Sequence, residues 1–213
     1  MTARTYGFLD RMIGEIDKAI KVLASPALPK RASPDSAGDE LPLEDSERRE
    51  SIRLMRVNHS GEIAAQALYQ GQALTARKGT VAGVMRRAAA EEMDHLAWCE
   101  ERLRELNGRS SLLNPIWYAG SFAIGALAGA VGDRASLGFV AETEKQVEVH
   151  LQGSMYRLPA ADHRSRAIVK QMTHDEVAHG AQAASLGADE LPFLLRSAMR
   201  LTSRVMTKSS YWL

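Results

Sequence analysis

The chain has 213 residues, enough for one domain with a sizeable hydrophobic core. Its 27 basic and 26 acidic residues leave a net charge of +1, so the composition predicts no nucleic-acid partner. The single cysteine, Cys99, excludes a disulfide framework and a cysteine zinc site and suits a reducing compartment. The first residues lack the apolar run of a secretory signal, and we expect a bacterial cytoplasmic setting.

Residues 1–24 are predicted to form an N-terminal amphipathic helix, because apolar residues recur there at helical spacing. The stripe consists of Phe8, Leu9, Met12, Ile13, Ile16, Ile20 and Leu23. Residues 25–46 hold four prolines, a glycine and scattered charge, a composition that predicts a linker or mobile loop. We expect this segment to contact none of the candidate site residues described below.

Residues 47–213 are predicted to be helical almost throughout, because helix formers dominate and no segment alternates like a strand. The expected helices lie near 47–77, 80–107, 134–158, 161–186 and 189–208, with Asn107-Gly108 and Gly187 as helix ends. A long apolar stretch at 111–133 separates the first two from the rest. The predicted fold class is therefore all-α, a four-helix bundle with a long apolar crossover and extra N- and C-terminal helices.

Two helical segments carry the same pattern, Glu92-Met-Asp-His95 and Glu176-Val-Ala-His179. The spacing of three residues places each Glu and His on one helix face, and both faces are otherwise apolar. A lone glutamate precedes each pair by about thirty residues, Glu62 in the first half and Glu144 in the second. The chain thus has a twofold internal repeat that is typical of ferritin-like dimetal sites.

The chemistry of these six residues favours two divalent metal ions. Four buried carboxylates would be costly as bare anions, whereas two divalent ions balance their charge. Glutamate with neutral imidazole suits iron or manganese, while zinc and copper favour sites richer in His or Cys.

Neighbouring residues leave some assignments open. Glu91 competes with Glu92 but lacks the spacing of three residues to His95, and Glu148 shares a helix face with Glu144 and is its rival. His59 and His150 are candidates for hydrogen bonds to ligand side chains, and interior histidines with no such role are an equal alternative.

Residues 112–132 are predicted to be a membrane-facing apolar segment. The uncharged run from Ile116 to Gly132 has 17 residues, short of the ~20 that a spanning helix needs. Spanning would also separate the two halves of the site, so the segment must lie flat or return. The last helix carries a cation every fourth residue, at Arg196, Arg200, Arg204 and Lys208, beside apolar side chains. Such a line is usually a solvated face, and beside the glycine-rich apolar segment docking at a membrane surface is the alternative.

Several stretches together resemble the demethoxyubiquinone hydroxylase family of ubiquinone biosynthesis. They are Arg56-Val-Asn-His-Ser-Gly-Glu62, Glu92-Met-Asp-His95, Asn114-Pro-Ile-Trp117 with its glycine-rich sequel, Glu144 with His150, and Asp175-Glu-Val-Ala-His179. The family pattern favours Glu144 over Glu148, because a histidine follows the family's glutamate by six residues.

The resemblance implies a membrane-associated monooxygenase that hydroxylates the ring of a polyprenylated methoxy-benzoquinol with O₂, on two iron ions per chain. The implied ligands are Glu62, Glu92, His95, Glu144, Glu176 and His179, with Glu92 and Glu176 bridging. It also implies a peripheral protein on the cytoplasmic side of the bacterial inner membrane, with other ubiquinone-biosynthesis proteins or further copies of the chain as partners. The alternative functions are a ferritin-like iron-binding protein and a dimanganese catalase or peroxidase.

Overall fold

A computed structural model describes residues 8–34 and 42–213. Every regular element in these ranges is an α-helix, so the all-α prediction is confirmed. The helices are α1 (Phe8–Ala24), α2 (Asp45–Thr75), α3 (Gly79–Glu105), α4 (Asn114–Val131), α5 (Asp133–Arg157), α6 (His163–Ser185) and α7 (Phe193–Trp212). The apolar positions predicted at Phe8, Leu9 and Met12 lie outside the described side chains.

Four of the helices, α2, α3, α5 and α6, form the bundle. The α2–α3 hairpin packs against the α5–α6 hairpin, with α3 against α6 and α2 against α5. One apolar cluster, which includes Met55, Cys99 and Met172, fills one part of the interior. A second cluster includes Tyr69, Met85 and other buried residues further along the helices. The interval between these clusters holds the predicted site residues.

Local sequence signals explain where several helices begin and end. Glu44 and Glu47 form a reciprocal capping box at the start of α2, two residues before the predicted start. Asp162 caps α6 by accepting a hydrogen bond from the Ser165 backbone N–H at 2.9 Å. After α3, Asn107 adopts a left-handed φ of 57°, and the Gly108 N–H bonds back to the Leu103 carbonyl at 2.7 Å.

Helix α4 connects the two hairpins and lies directly along α2. Glycines on both helices bring their backbones together, since an added Cβ on Gly125 would lie 2.2 Å from the Leu68 carbonyl oxygen. An added Cβ on Gly71 would similarly lie 2.3 Å from the Phe122 carbonyl oxygen. The small residues of α4 therefore face α2, while its large side chains at Ile116, Leu127 and Val131 are exposed.

Among the described residues, none of the helices combines the length and the apolar character needed to cross a membrane.

Candidate metal centre

The structure brings all six predicted site residues into one buried cluster at the centre of the bundle. Their exposed fractions range from 0% for His95 to 9% for His179. Helix α2 supplies Glu62, α3 supplies Glu92 and His95, α5 supplies Glu144, and α6 supplies Glu176 and His179. The ligand atoms divide into two overlapping groups, each within 4.8 Å: Glu62, Glu92, His95 and Glu176, and then Glu92, Glu144, Glu176 and His179.

Glu92 and Glu176 belong to both groups, and each directs one oxygen to each histidine. Glu92 Oε2 lies 2.8 Å from His95 Nδ1, and Glu92 Oε1 lies 3.0 Å from His179 Nδ1. Glu176 Oε1 lies 3.3 Å from His95 Nδ1, and Glu176 Oε2 lies 3.5 Å from His179 Nδ1. A carboxylate placed in this way can bind two metal ions at once, one through each oxygen.

Glu62 and Glu144 each belong to one group only. Glu62 Oε2 lies 3.7 Å from His95 Nδ1, on the α2 side of the cluster. Glu144 accepts a hydrogen bond from the hydroxyl of Tyr69, which is also on α2. This hydrogen bond connects Glu144 to the opposite hairpin. It also gives this carboxylate, which belongs to one group only, a neutral hydrogen-bond donor.

Both histidines turn Nδ1 towards the carboxylates and Nε2 outwards. Asp175 Oδ2 lies 3.0 Å from Nε2 of His95, and Glu91 Oε2 lies 2.8 Å from Nε2 of His179. Each outer carboxylate directly precedes the glutamate of the opposite Glu-x-x-His pair. An Nε2–H donated to these carboxylates leaves the inner Nδ1 lone pair free for a metal ion.

The crowded charges shift the pKa values of the site in opposite directions. Burial raises the pKa of Glu62 and of Glu144 well above the usual range of a carboxyl group. Burial would also raise the pKa of Glu92, but His95 and His179 hold it below its usual range. Burial would lower the pKa of His179, but the facing carboxylates of Glu176 and Glu92 raise it to about 12. Without metal, the raised pKa values of His95 and His179 therefore favour protonated imidazoles, which balance part of the carboxylate charge.

Two divalent metal ions fit this arrangement. Glu92 Oε1 and His179 Nδ1 are buried atoms that complete no hydrogen bond, although they lie only 3.0 Å apart. Buried polar atoms are normally paired, so these two point to a missing shared partner. Four carboxylates and two neutral imidazoles give the charge of −4 that two divalent ions neutralise.

The rival side chains lie elsewhere. Glu148 accepts a hydrogen bond from Gln152 at 2.9 Å near the surface, outside both ligand groups. His150 Nε2 lies 3.1 Å from the Asn58 side-chain oxygen. His59 Nδ1 lies 3.4 Å from Asn114 Nδ2. Each of these histidines therefore contacts an asparagine.

The expectation that residues 25–46 contact none of the site residues is wrong. Arg31 Nη1 donates to Asp175 at 2.8 Å, and Arg31 Nη2 lies 3.5 Å from His95 Nε2. The prolines and mixed charge suggested a segment without fixed contacts. In the structure, however, a buried carboxylate and an indole on α3 form hydrogen bonds with this segment.

Four contributors to the site were not assigned from the sequence: Arg31, Tyr69, Glu91 and Asp175. One signal was available for two of them, because an acidic residue directly precedes the glutamate of both Glu-x-x-His pairs. Nothing in the sequence placed Arg31, since 63 positions separate it from Asp94 and 144 from Asp175.

Comparison with known proteins is consistent with this geometry. Residues 49–210 match the family described as ubiquinone biosynthesis protein COQ7. A Cupriavidus pinatubonensis protein named 3-demethoxyubiquinol 3-hydroxylase is 57% identical over 205 residues, covering 95% of this chain and 99% of that protein. A Legionella pneumophila protein of the same name is 52% identical over 212 residues, covering 99% of this chain and 100% of that protein.

A solved structure supports the fold. A dodecameric thioferritin, the bacterioferritin-related protein from Bacteroides fragilis, aligns with a TM-score of 0.55 and 19% identity. The alignment covers 74% of this chain and 90% of that one. At this identity the likeness concerns the fold alone, and it confirms the predicted ferritin-like bundle.

Proposed function

Because the chain belongs to the ubiquinone biosynthesis protein COQ7 family of hydroxylases, as its sequence resemblance predicted, we propose that it hydroxylates the ring of a polyprenylated methoxy-benzoquinol, demethoxyubiquinol. The reaction replaces one ring C–H by C–OH, takes one oxygen atom from O₂ and releases the other as water. It consumes two electrons and two protons, which the quinol itself or an outside donor supplies.

The observation that carries this proposal is the buried pair of overlapping carboxylate–histidine groups. In the proposal Glu62 with His95 would hold one iron ion, Glu144 with His179 would hold the other, and Glu92 and Glu176, which belong to both groups, would serve both ions. Two iron ions in this position would supply the activation of O₂. Oxygen ligands with few imidazoles and no sulfur favour iron over zinc or copper.

The chain's own residues would orient and protect this chemistry. Asp175 and Glu91 hold the proton on the outer nitrogen of each histidine, so the inner nitrogens keep one orientation. The hydroxyl of Tyr69 donates a hydrogen bond to Glu144, and the Tyr69 side chain is itself buried. The apolar clusters on both sides of the site would limit the access of water to it.

The proposal places the protein on the cytoplasmic face of the bacterial inner membrane, where an isoprenoid substrate resides. Segment 112–132, which contains α4, would face the bilayer, and its exposed Ile116, Leu127 and Val131 support this role. Further support comes from α7, where Leu194 and Leu201 are exposed and where a basic residue recurs at every fourth position, at Arg196, Arg200, Arg204 and Lys208. In the same proposal residues 47–213 are the catalytic domain, residues 1–24 assist docking, and other ubiquinone-biosynthesis proteins or further copies of the chain are partners.

The test is a single-turnover assay with iron-loaded protein, a chemical reductant, ¹⁸O₂ and a short-chain demethoxyquinol. We expect one ¹⁸O atom in the ring of the product, detected by mass spectrometry. The Glu176→Ala variant should give no product, whereas Glu148→Gln should match wild type. Lack of labelled product from wild type with two iron ions bound would contradict the proposal. Iron uptake far above two per chain would indicate a ferritin-like store, and rapid H₂O₂ turnover with bound manganese would indicate a catalase.

A further inference from the structure

The segment 25–34 follows α1 and is fastened to α3 by its backbone. The Lys30 N–H donates to Asp94 Oδ1 at 2.6 Å, and the Ala27 N–H donates to Glu100 Oε2 at 3.0 Å. In return, the Trp98 indole N–H donates to the Arg31 carbonyl at 3.3 Å. These contacts fix the position from which the side chain of Arg31 extends.

The guanidinium of Arg31 joins two helices. Its Nε donates to Asp94 on α3 at 2.7 Å, and its Nη1 donates to Asp175 on α6 at 2.8 Å. The guanidinium carbon lies 4.9 Å from the centre of the Trp98 ring. The planar fork of arginine suits two carboxylates on different helices, because its donors point in fixed directions.

Arg31 thereby holds the carboxylate that orients His95. Asp175 Oδ2 is shared between Arg31 Nη1, at 2.8 Å, and His95 Nε2, at 3.0 Å. The other oxygen of Asp175 accepts a hydrogen bond from Gln171 at 2.9 Å. Both oxygens of Asp175 are therefore engaged, which restricts the orientation of this side chain and of the His95 ring that contacts it.

The other histidine lacks an equivalent arrangement. His179 Nε2 meets Glu91, whose side chain is 55% exposed, whereas the side chain of Asp175 is 14% exposed. In the part of the chain that the structure describes, Glu91 has no ion pair with a lysine or arginine. The two halves of the site therefore match in their ligands but differ in how firmly their histidines are held.

We propose that Arg31 is a positioning residue that makes the two metal positions unequal, so that the position at His95 binds metal more tightly than the position at His179. The proposal rests on the metal site assigned under the proposed function. Loss of a partner behind a metal-bound histidine typically lowers metal affinity by about 10- to 100-fold. Arg31 acts through Asp175, so we expect about tenfold for its removal, confined to the tighter position.

The experiment is a stepwise anaerobic titration of the full-length metal-free protein with Co²⁺, followed by calorimetry and visible absorption. Wild type should bind two ions with two distinguishable affinities. Arg31→Met keeps most of the aliphatic stem but loses the charged fork. It should weaken the first step about tenfold and alter the spectrum of the first cobalt bound, with the second step unchanged. Arg31→Lys keeps the charge without the fork and should recover part of the loss. The matched control is Arg48→Met, which removes a surface arginine paired with Asp45.

A complementary variant tests the other position. Glu91→Gln should weaken the second step and leave the first step unchanged. Thermal unfolding of each metal-free variant by circular dichroism will show whether it is folded, and Asp175→Asn replaces Arg31→Met if that variant is not. If wild type and Arg31→Met both bind two cobalt ions with the same affinities and the same spectra, the proposed role of Arg31 is wrong, although the metal site itself stands. Equal weakening of both steps would also overturn that role. Fewer than two ions bound by wild type would instead overturn the metal site itself, and the role of Arg31 with it.

Discussion

Glu92 Oε1 lies 3.0 Å from His179 Nδ1 across the bundle, and neither atom completes a hydrogen bond. The other oxygen of Glu92 meets His95 at 2.8 Å, so this one carboxylate connects the two histidines of the site. A side chain that serves both halves should affect both metal positions, whereas a side chain at one end should affect one.

Metal stoichiometry tests this division. Glu92→Ala should abolish tight binding of both ions, because it removes a ligand from each position. Glu144→Ala should leave about one ion bound. Glu148→Gln is the matched control, since Glu148 shares the helix face but lies outside the cluster, and it should bind two ions. The measurement is metal analysis after anaerobic loading and gel filtration, and a metal deficit in Glu148→Gln would reverse the assignment.

Metal binding should release protons. The pKa values of His95 and His179 are raised above 6.5, so their rings are protonated near neutral pH without metal, and burial favours the protonated carboxyl groups of Glu62 and Glu144. Metal ions must displace those protons, and apparent affinity should therefore rise with pH. We expect release of about two to four protons per chain. Calorimetry in two buffers of different ionisation enthalpy measures this number, and binding heats that are independent of the buffer would contradict it.

Helix packing at the crossover should not tolerate a larger residue than glycine. Gly125→Ala places a methyl group 2.2 Å from the Leu68 carbonyl oxygen, so α4 must move away from α2. We expect a loss of unfolding free energy of about 2–4 kcal/mol in chemical denaturation. Gly120→Ala is the control on the same helix, because no atom lies within 4 Å of its added Cβ, and it should be neutral or slightly stabilising. Equal stability of the two variants would contradict the close packing.

Vesicle flotation tests the membrane-facing role of α4. Leu127 is 69% exposed on that helix, and Leu127→Asp should weaken binding to phosphatidylglycerol-containing vesicles at least several-fold. Val149→Asp on α5, where the side chain is 63% exposed, is the matched control and should bind like wild type. Equal binding of wild type and both variants would remove α4 from the contact surface.

Acid should destabilise the protein through His59. Burial lowers the pKa of His59 to about 4 from its ordinary value of 6.5. The folded state thus favours the neutral ring, and the resulting stability is complete above pH 6.5 and is lost as pH falls towards 4. The loss amounts to about 3 kcal/mol. Denaturant unfolding of metal-free wild type and His59→Gln should converge across this interval, and parallel pH profiles would contradict the assignment.

The bundle and the cluster could be predicted because both leave short-range signals. The spacing of Glu92 and His95 defines a helix face, and its repetition at Glu176 and His179 defines a pair of hairpins. The ends of the predicted helices agree with the structure to within a few residues. At α7, for example, the helix begins at Phe193, whereas the predicted start was residue 189.

The supporting contacts could not be predicted, because they join distant parts of the chain. Arg31 and Asp175 come together only once segment 25–34 lies on α3 and α3 lies on α6. Tyr69 lies on α2 and Glu144 on α5, so their hydrogen bond depends on how these two helices face each other. Glu91 was treated as a rival of Glu92, although it lies on the outer side of His179.

The distribution of the six site residues has a kinetic consequence. The α2–α3 hairpin carries Glu62, Glu92 and His95, and the α5–α6 hairpin carries the other three, so neither hairpin alone offers a complete site. High-affinity metal capture must then follow the docking of the hairpins, late in folding. Bound metal should consequently slow unfolding while leaving the refolding rate nearly unchanged, because the interaction is absent from the transition state. The metal ions would therefore stabilise the folded bundle against unfolding and would not take part in its folding nucleus.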